Sequence, residues 1–388
     1  MSVLNVISIL IIMSLLVLIH EFGHFIASKK SGVKVEEFGL GYPPRLWGKQ
    51  IGETLYSINL LPFGGFVKIV GEGAESEEEE KEYLKDSRSF ASKSPKQKIL
   101  ILSAGILMNL LLAIVLFYVF FILNNFKTFY IPMIFDHKFR FGREEIYKTV
   151  VFDMEEDSAA KQYGINVGDV ILKIDGISIN SVEDMRKVLS GKAGETVKAE
   201  VLSLGDDLSQ SNIRTLDIIP KTNVSPQGLD EGDSIIGVYL GDAVSIVYDK
   251  PLEKLLSGPL HSYNILSYSV IAFGKIIGLS ITTKDISPVS NSMAGPVGVF
   301  NVIGSVFKEG GSNVSLALMN TVGIISLGFA FSNILPIPAL DGGRIAFKVY
   351  EAATKKKVSI NFESKVHKFG MITLLIFAAL ITFKDLHI

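Results

Sequence analysis

Long apolar runs separated by polar, charged stretches dominate the pattern of this chain. A helix needs about 20 mostly apolar residues to span a bilayer, and four runs approach or exceed that length. They predict transmembrane helices within residues 1–30, 97–124, 314–345 and 368–385. The fourth is the weakest, because only about 13 strongly apolar residues fall between Met371 and Phe383. The pattern therefore predicts a polytopic α-helical membrane protein with about four transmembrane helices.

The distribution of lysine and arginine orients these helices. Basic residues are concentrated between helices 1 and 2 and between helices 3 and 4, and such loops stay in the cytoplasm. We therefore expect both termini outside and the long segment 124–315 to be extracytoplasmic. The first apolar run has no basic residue before it and no small-residue cleavage site after it, so we expect a retained helix rather than a signal peptide.

Three segments outside the predicted helices carry weaker patterns. Residues 31–70 alternate weakly and are punctuated by glycine, which fits either a β-hairpin dipping into the membrane beside helix 1 or an ordinary surface hairpin. Residues 71–96 contain an acidic run and predict a solvated cytoplasmic loop. Residues 250–285 predict amphipathic helices that lie on the outer membrane surface or pack against the extracytoplasmic domain.

Residues 145–222 have the pattern of a small α/β domain inserted between helices 2 and 3. Short strand-like runs alternate with two helix starts that carry capping residues, near Ser158 and Ser181. The stretch is similar to a PDZ domain of the bacterial protease type in Ser158–Ala160, Gly164–Leu172 and Ile174–Gly176. Such domains usually bind extended peptides by strand addition; a spacer domain with a blocked groove is the alternative.

Composition excludes several classes of function. The 388 residues are 48% hydrophobic, and 38 basic residues nearly balance 40 acidic ones, so no basic field favours nucleic acid. The chain has no cysteine, which rules out disulfides, a thiolate metal site and a cysteine nucleophile.

The segment His20–His24, with the letters HEFGH, carries the clearest chemistry. Two histidines four residues apart lie on one face of a helix and can hold one zinc ion. Glu21, beside the first histidine, is placed to act as general base on water. Because such a cluster is costly inside a membrane span, it predicts a zinc hydrolase whose chemistry occurs within the bilayer.

Asp341 is the best candidate for a third zinc ligand. A catalytic zinc uses three protein ligands and one open position, and the predicted topology places the other histidines poorly. Helix 3 enters the cytoplasmic side as helix 1 does, so Asp341 arrives at about the depth of His20 and His24. Taken alone, Asp341 fits better as the cap of a helix that begins near Arg344; the matched depth favours the ligand.

Four features together resemble the site-2 protease family of intramembrane zinc metalloproteases, in its bacterial type with one recognisable PDZ domain. They are His20–His24, Gly64–Lys68, Ala104–Gly105 with Asn109, and Asn333–Gly342. The resemblance implies zinc ligation by His20, His24 and Asp341, with Glu21 as the catalytic base.

The resemblance also implies residues that bind substrate. Asn333 and Asn109 would hydrogen-bond the substrate backbone or help to orient the reacting carbonyl. The hairpin that contains Gly64, Gly65 and Phe66 would pair with an unwound substrate segment as an added strand.

This family resemblance predicts a zinc-dependent intramembrane endopeptidase in a bacterial plasma membrane, with its active site toward the cytoplasm. Its substrates would be single-span membrane proteins, such as anti-sigma factors or signal-peptide remnants, trimmed beforehand by another protease. Two alternatives remain. One is a catalytically silent membrane scaffold that presents the PDZ domain, against which the intact Glu21 argues. The other is a metal or proton transporter, which would string polar residues along its spans rather than cluster them at one depth.

Overall fold

The computed structural model describes residues 3–74, 76–203, 212–222, 234–309 and 313–386. The described residues divide into two compact units. A helical unit takes those of Met1–Phe120, Gly258–Gly310 and Val314–Ile388, and a β-rich unit takes those of Phe121–Ser257 with Asn313.

The described residues form helices and strands throughout. In chain order the helices are α1 (Val3–Lys30), α2 (Glu77–Tyr83), α3 (Pro95–Leu123), α4 (Ala159–Gln162), α5 (Val182–Leu189), α6 (Pro251–Leu255), α7 (Ser257–Thr283), α8 (Ser287–Ser292), α9 (Pro296–Glu309), α10 (Val314–Ile334), α11 (Asp341–Thr354) and α12 (Ile360–Leu386). The strands are β1 (Val35–Ile51), β2 (Thr54–Ile69), β3 (Ile131–Met133), β4 (Arg143–Met154), β5 (Val170–Ile174), β6 (Ile177–Ser178), β7 (Val197–Ser203), β8 (Asn212–Ile218), β9 (Lys221–Thr222), β10 (Ser234–Ile235) and β11 (Val238–Val247).

Five helices in the described part of the chain are long and apolar enough to cross a membrane: α1, α3, α7, α10 and α12. The protein is therefore a multi-pass membrane protein. The sequence predicts about four such helices, because polar residues interrupt 250–285 and suggest several amphipathic helices there. The structure instead has one 27-residue helix, α7, over most of that stretch.

Two of the expected transmembrane helices have different bounds. The expected helix over 314–345 is two helices, since α10 ends at Ile334, before Pro336 and Pro338, and α11 begins at Asp341. Proline lacks the backbone N–H that a continuous helix needs. The last helix, α12, has 27 residues, and is therefore longer than the expected helix over 368–385. Its charged first turns are helical too, and a count of apolar residues misses them.

Residues 35–69 form a small sheet in place of a simple hairpin. Strands β1 and β2 each bend in the middle, so that their halves pair as four segments. Across the sheet the segments follow the order 45–51, 54–59, 35–42 and 61–69. Among the described residues only segment 35–42 pairs with segment 61–69, whose other edge is unpaired. Segment 61–69 lies in β2, which packs against α1.

The turn between β1 and β2 is tied to the end of α1. Glu53 in this turn accepts hydrogen bonds from Lys29, at 2.6 Å, and from Arg88. These two cations, Lys29 first, hold the pKa of the Glu53 carboxyl down to about 2. The Lys29–Glu53 ion pair links the sheet to the last turn of α1.

The acidic stretch that follows is not a plain loop: Glu77–Tyr83 form the short helix α2, capped by Ser76 and without buried residues.

The β-rich unit has one main sheet with strand order β3-β11-β4-β5-β7-β8, and β6 pairs with β5. Helices α4 and α5 begin after Ser158 and Ser181, whose side chains accept hydrogen bonds from backbone N–H groups of the first turn. One core joins the sheet and both helices; it includes Val151, Ile165, Ile171, Ile174, Leu189 and Val201. Strand β11 lies beyond the expected boundary 145–222 and pairs along β4, so the described residues after 233 complete this sheet.

Candidate metal centre and substrate cleft

The two histidines of α1 lie side by side, one helical turn apart. Their Nε2 atoms are 3.1 Å from each other, and the residues are only 9% and 7% exposed. Both side chains point toward α3, because residues four apart share a face of the helix. His20 and His24 thus present two ring nitrogens to one point inside the helical unit.

Two glycines allow α1 and α3 to approach at this depth. A Cβ at Gly23 would lie 2.3 Å from the carbonyl oxygen of Ala104, which no real side chain permits. A Cβ at Gly105 would lie 2.5 Å from Nε2 of His24 and 2.7 Å from Nε2 of His20. Glycine at 23 brings the helices together, and glycine at 105 leaves room for both imidazoles.

Asp341 completes the cluster, as the depth argument predicts. Its Oδ2 atom is 2.9 Å from Nε2 of His20 and 3.3 Å from Nε2 of His24. The capping alternative is not what the structure has, since Leu340 occupies the N-cap position and Asp341 is the first residue of α11. The turn before it is tight: a Cβ at Gly342 would lie 2.2 Å from the carbonyl oxygen of Leu335. Glycine there lets α11 start close behind α10.

The residues fit a zinc ion. Their ligand atoms, two imidazole nitrogens and a carboxylate oxygen, all lie within 4.8 Å of one another. Oδ2 of Asp341 is buried, yet within the described residues it accepts no hydrogen bond of good geometry. Three protein ligands of this kind leave a fourth position open for water, as in catalytic zinc sites. A buried carboxylate oxygen beside two imidazole nitrogens is a donor set that suits a zinc ion.

Backbone and amide groups of α3 contact the far side of both imidazoles. Nδ1 of His24 donates to the carbonyl oxygen of Ile101 at 2.8 Å. Nδ1 of His20 lies 3.2 Å from the side-chain amide of Asn109, which is 1% exposed. The carbonyl of Ile101 could not be found by sequence reasoning, because a backbone oxygen leaves no signal in the residue type.

A cleft of about 400 Å³ opens beside the three ligands. Its lining includes Glu21 and the end of β2, residues 65–69. Glu72 and Arg344 also line it and form an ion pair, with 2.5 Å between Nη1 and Oε1. The cleft therefore combines the ligands, the carboxylate expected to act as base and the unpaired edge of the small sheet.

Of the three hairpin residues expected to bind substrate, two line the cleft and one does not. Gly65 and Phe66 line the cleft, and the Phe66 ring stacks on Tyr42 with 6.3 Å between centroids. Gly64 has φ of +78° and packs against Val17 of α1, just outside the lining.

The two asparagines also lie outside the lining of the cleft. Asn333 donates from Nδ2 to the carbonyl oxygen of Phe329, one turn earlier in α10, at 3.0 Å. Asn109 faces His20 instead.

Two histidines, an aspartate and an adjacent glutamate, brought together in a membrane protein, are the residue types found at metallopeptidase centres. The sequence profile of peptidase family M50 matches residues 8–377. The chain belongs to this family, the site-2 proteases, whose members use zinc.

The similar proteins span nearly the whole chain. A Clostridium perfringens protein named "Putative zinc metalloprotease" is 31% identical over 379 residues, which cover 97% of each chain. A protein of the same name from Clostridium acetobutylicum is 30% identical over 394 residues, covering 99% of this chain and 98% of the relative.

A solved structure is similar to part of the chain. It is the PDZ domain of an SdrC-like protein from Listeria innocua, at 23% identity and a TM-score of 0.20, covering 24% of this chain and 92% of that one. Because this TM-score is low, the resemblance of residues 145–222 to a PDZ domain continues to rest on the sequence features of that segment.

Proposed function

We propose that this protein is a zinc-dependent intramembrane endopeptidase that cleaves the transmembrane segments of single-span membrane proteins. One observation carries the proposal. Three side chains that can ligate a metal and a neighbouring carboxylate, Glu21, meet at a cleft beside the span-length apolar helix α1. A structural metal site would be closed by a fourth protein ligand, whereas this one faces a cleft.

The chemistry follows from the positions of these residues. His20, His24 and Asp341 would hold the zinc ion, which supplies activation of water and polarisation of the scissile carbonyl. Glu21 takes the proton of the attacking water and delivers it to the leaving amine.

Substrate would bind along the unpaired edge of segment 61–69. A transmembrane helix hides its backbone in its own hydrogen bonds, and it must unwind before water can attack. An unwound stretch that pairs with residues 65–69 as an added strand replaces the lost bonds. Gly64 and Gly65 let this segment lie close to Val17 and Leu18 of α1, and Phe66 offers an apolar surface in the cleft. Asn333 would bind the substrate backbone only after it releases the carbonyl of Phe329.

We propose that four of the five span-length helices cross the membrane and that α7 lies along its outer surface. Both ends of α7 are held on one side of the helical unit. Gly258 lies so close to Ile114, in the second half of α3, that a Cβ would be 2.5 Å from its carbonyl oxygen. Shortly after α7 ends, the carbonyls of Ser290 and Met293 accept hydrogen bonds at 2.8 Å from Lys384, in the last turn of α12.

The basic loops support one orientation of the protein in the membrane. With basic loops inside, the ends of α3 and α12 face outward, together with both termini and the β-rich unit. The zinc site lies toward the cytoplasmic side of a bacterial plasma membrane. Substrates in regulated proteolysis, anti-sigma factors or signal-peptide remnants, would arrive already trimmed by another protease.

The test is cleavage of a tagged single-span protein by the purified chain in detergent, with products mapped by mass spectrometry. Wild type is compared with Glu21→Gln, which keeps the size of the side chain and removes the base. We expect cleavage within the transmembrane segment by wild type alone. Equal cleavage by both proteins would refute the mechanism. An unaltered cellular effect of the Glu21→Gln chain would favour a scaffold.

A further inference from the structure

We infer that one face of α3 sets the proton positions of both histidine ligands, with Asn109 as the positioning residue for His20. The inference rests on the proposed zinc site. It assigns Asn109 to the metal centre and not to the substrate.

Three residues of α3, spaced four apart, form this face. Ile101 and Asn109 lie two turns from each other, with Gly105 midway, so all three point in about the same direction. The carbonyl oxygen of Ile101 accepts from Nδ1 of His24. Gly105 lies against the Nε2 atoms of both histidines and leaves them space. The side chain of Asn109 meets Nδ1 of His20.

Metal ligation decides which end of the Asn109 amide must face the histidine. A ligating Nε2 has to be unprotonated, so the single proton of the neutral ring is on Nδ1, which then needs an acceptor. For His24 the Ile101 carbonyl is that acceptor. For His20 the group within reach is the Asn109 amide, whose oxygen and nitrogen exchange places when the amide turns by 180°.

The unpaired oxygen of Asn109 supports this assignment. Oδ1 is buried and accepts no hydrogen bond within the described residues, while Nδ2 lies 3.2 Å from Nδ1 of His20. Two donors would face each other there once zinc holds Nε2. Turning the amide gives Oδ1 the N–H of His20 and gives that N–H its acceptor.

The backbone of Asn109 is bound to the helix that leads to the third ligand. The Oγ of Ser326, in α10, donates to the carbonyl oxygen of Asn109 at 2.8 Å, and Ser326 is 0% exposed. Asn109 therefore contacts α1, which bears two of the ligands, through its side chain, and α10, which precedes the helix that begins with Asp341, through its carbonyl. Because it is 1% exposed and outside the lining of the cleft, a role in binding substrate directly would require a rearrangement.

The test measures zinc affinity in the full-length protein by competition with a coloured chelator. Asn109→Ala and Asn109→Leu remove the acceptor, and Asn109→Asp keeps it. Asn264→Ala, which removes another buried amide of the helical unit, in α7, is the matched control. We expect zinc to bind about 10- to 100-fold more weakly in the alanine and leucine variants, the usual effect of losing such a partner.

We further expect Asn109→Asp and Asn264→Ala to bind zinc as wild type does. The visible spectrum of the cobalt-substituted protein should change in the alanine and leucine variants and return with aspartate. Wild-type zinc affinity in Asn109→Ala, or an equal loss of zinc affinity in Asn109→Asp, would overturn the inference. Wild-type zinc affinity in Asn109→Ala with a raised KM would indicate that Asn109 binds substrate instead. The failure of the proposed function is distinct, because then wild type itself would bind no zinc that depends on His20.

Discussion

Gly105→Ala should disable the metal centre without unfolding the protein. The added Cβ would lie 2.5 Å from Nε2 of His24, and ordinary contact begins near 3.4 Å, so the ring or the helix must move by about 0.9 Å, the difference of the two. Metal-ligand distances tolerate only about 0.2 Å, and a misplacement of about 1 Å can cost ~100-fold in rate. We expect kcat/KM to fall about 100-fold and zinc to bind more weakly.

The matched control for this variant is Gly328→Ala in α10, where a Cβ would meet nothing within 4 Å. Alanine in a helix interior is favoured over glycine by up to about 1 kcal/mol, so Gly328→Ala should keep its thermal stability. Gly105→Ala should lose only the cost of the local clash, about 1–3 kcal/mol, less that gain. Cleavage rate, zinc content and melting temperature are measured on the same preparations. If Gly105→Ala cut substrate and held zinc like Gly328→Ala, the close approach of α3 to the histidines would be refuted.

Three further predictions concern the ion pair in the cleft, an ion pair of the β-rich unit and the dependence on zinc. Glu72→Arg or Arg344→Glu alone should lower cleavage about fivefold, because the partly exposed ion pair in the cleft contributes about 1 kcal/mol; the double exchange should restore part of it in a kinetic double-mutant cycle. The Lys192 ammonium donates to Asp175 and holds the pKa of that carboxyl below its usual value. The ionised Asp175 carboxylate therefore stabilises the folded state above pH ~4, and this stabilisation is lost as pH falls through the lowered pKa. The melting-temperature difference between wild type and Asp175→Asn should accordingly shrink from pH 7 to pH 3, and a constant difference would contradict the assignment. Dialysis against a chelator should abolish cleavage, and about one equivalent of zinc should restore it; activity that survives complete zinc removal would argue against a metal-dependent reaction.

The meeting of His20, His24 and Asp341 could be predicted from sequence, because each is marked by a short stretch of residues. Two histidines four apart must share a helix face, and Asp341 stands alone among apolar residues at the end of a span that runs in the direction of α1. The groups of α3 that hold the two histidine rings in place could not be predicted. The Ile101 carbonyl carries no signal in its residue type, and the contact of Asn109 with His20 depends on how closely α1 and α3 approach at Gly23.

The parts of the fold that differ from expectation depend on long-range pairing or on context. Segment 54–59 lies between two segments of β1, 45–51 and 35–42, and no period in the sequence specifies that order. Helix α7 is apolar enough to span, yet its scattered polar residues suggest several surface helices. The charged first turns of α12 hide its length, because helix continuation there depends on backbone hydrogen bonds and not on apolar content.

The most direct test of the account is to measure zinc content and intramembrane cleavage on the same purified samples of wild type, Glu21→Gln and Asp341→Ala. We predict about one zinc ion per chain in wild type and in Glu21→Gln, cleavage by wild type alone, and neither full zinc content nor cleavage in Asp341→Ala. Cleavage by Glu21→Gln, or undiminished zinc binding and cleavage by Asp341→Ala, would contradict the assignment of base and ligand on which the proposed mechanism depends.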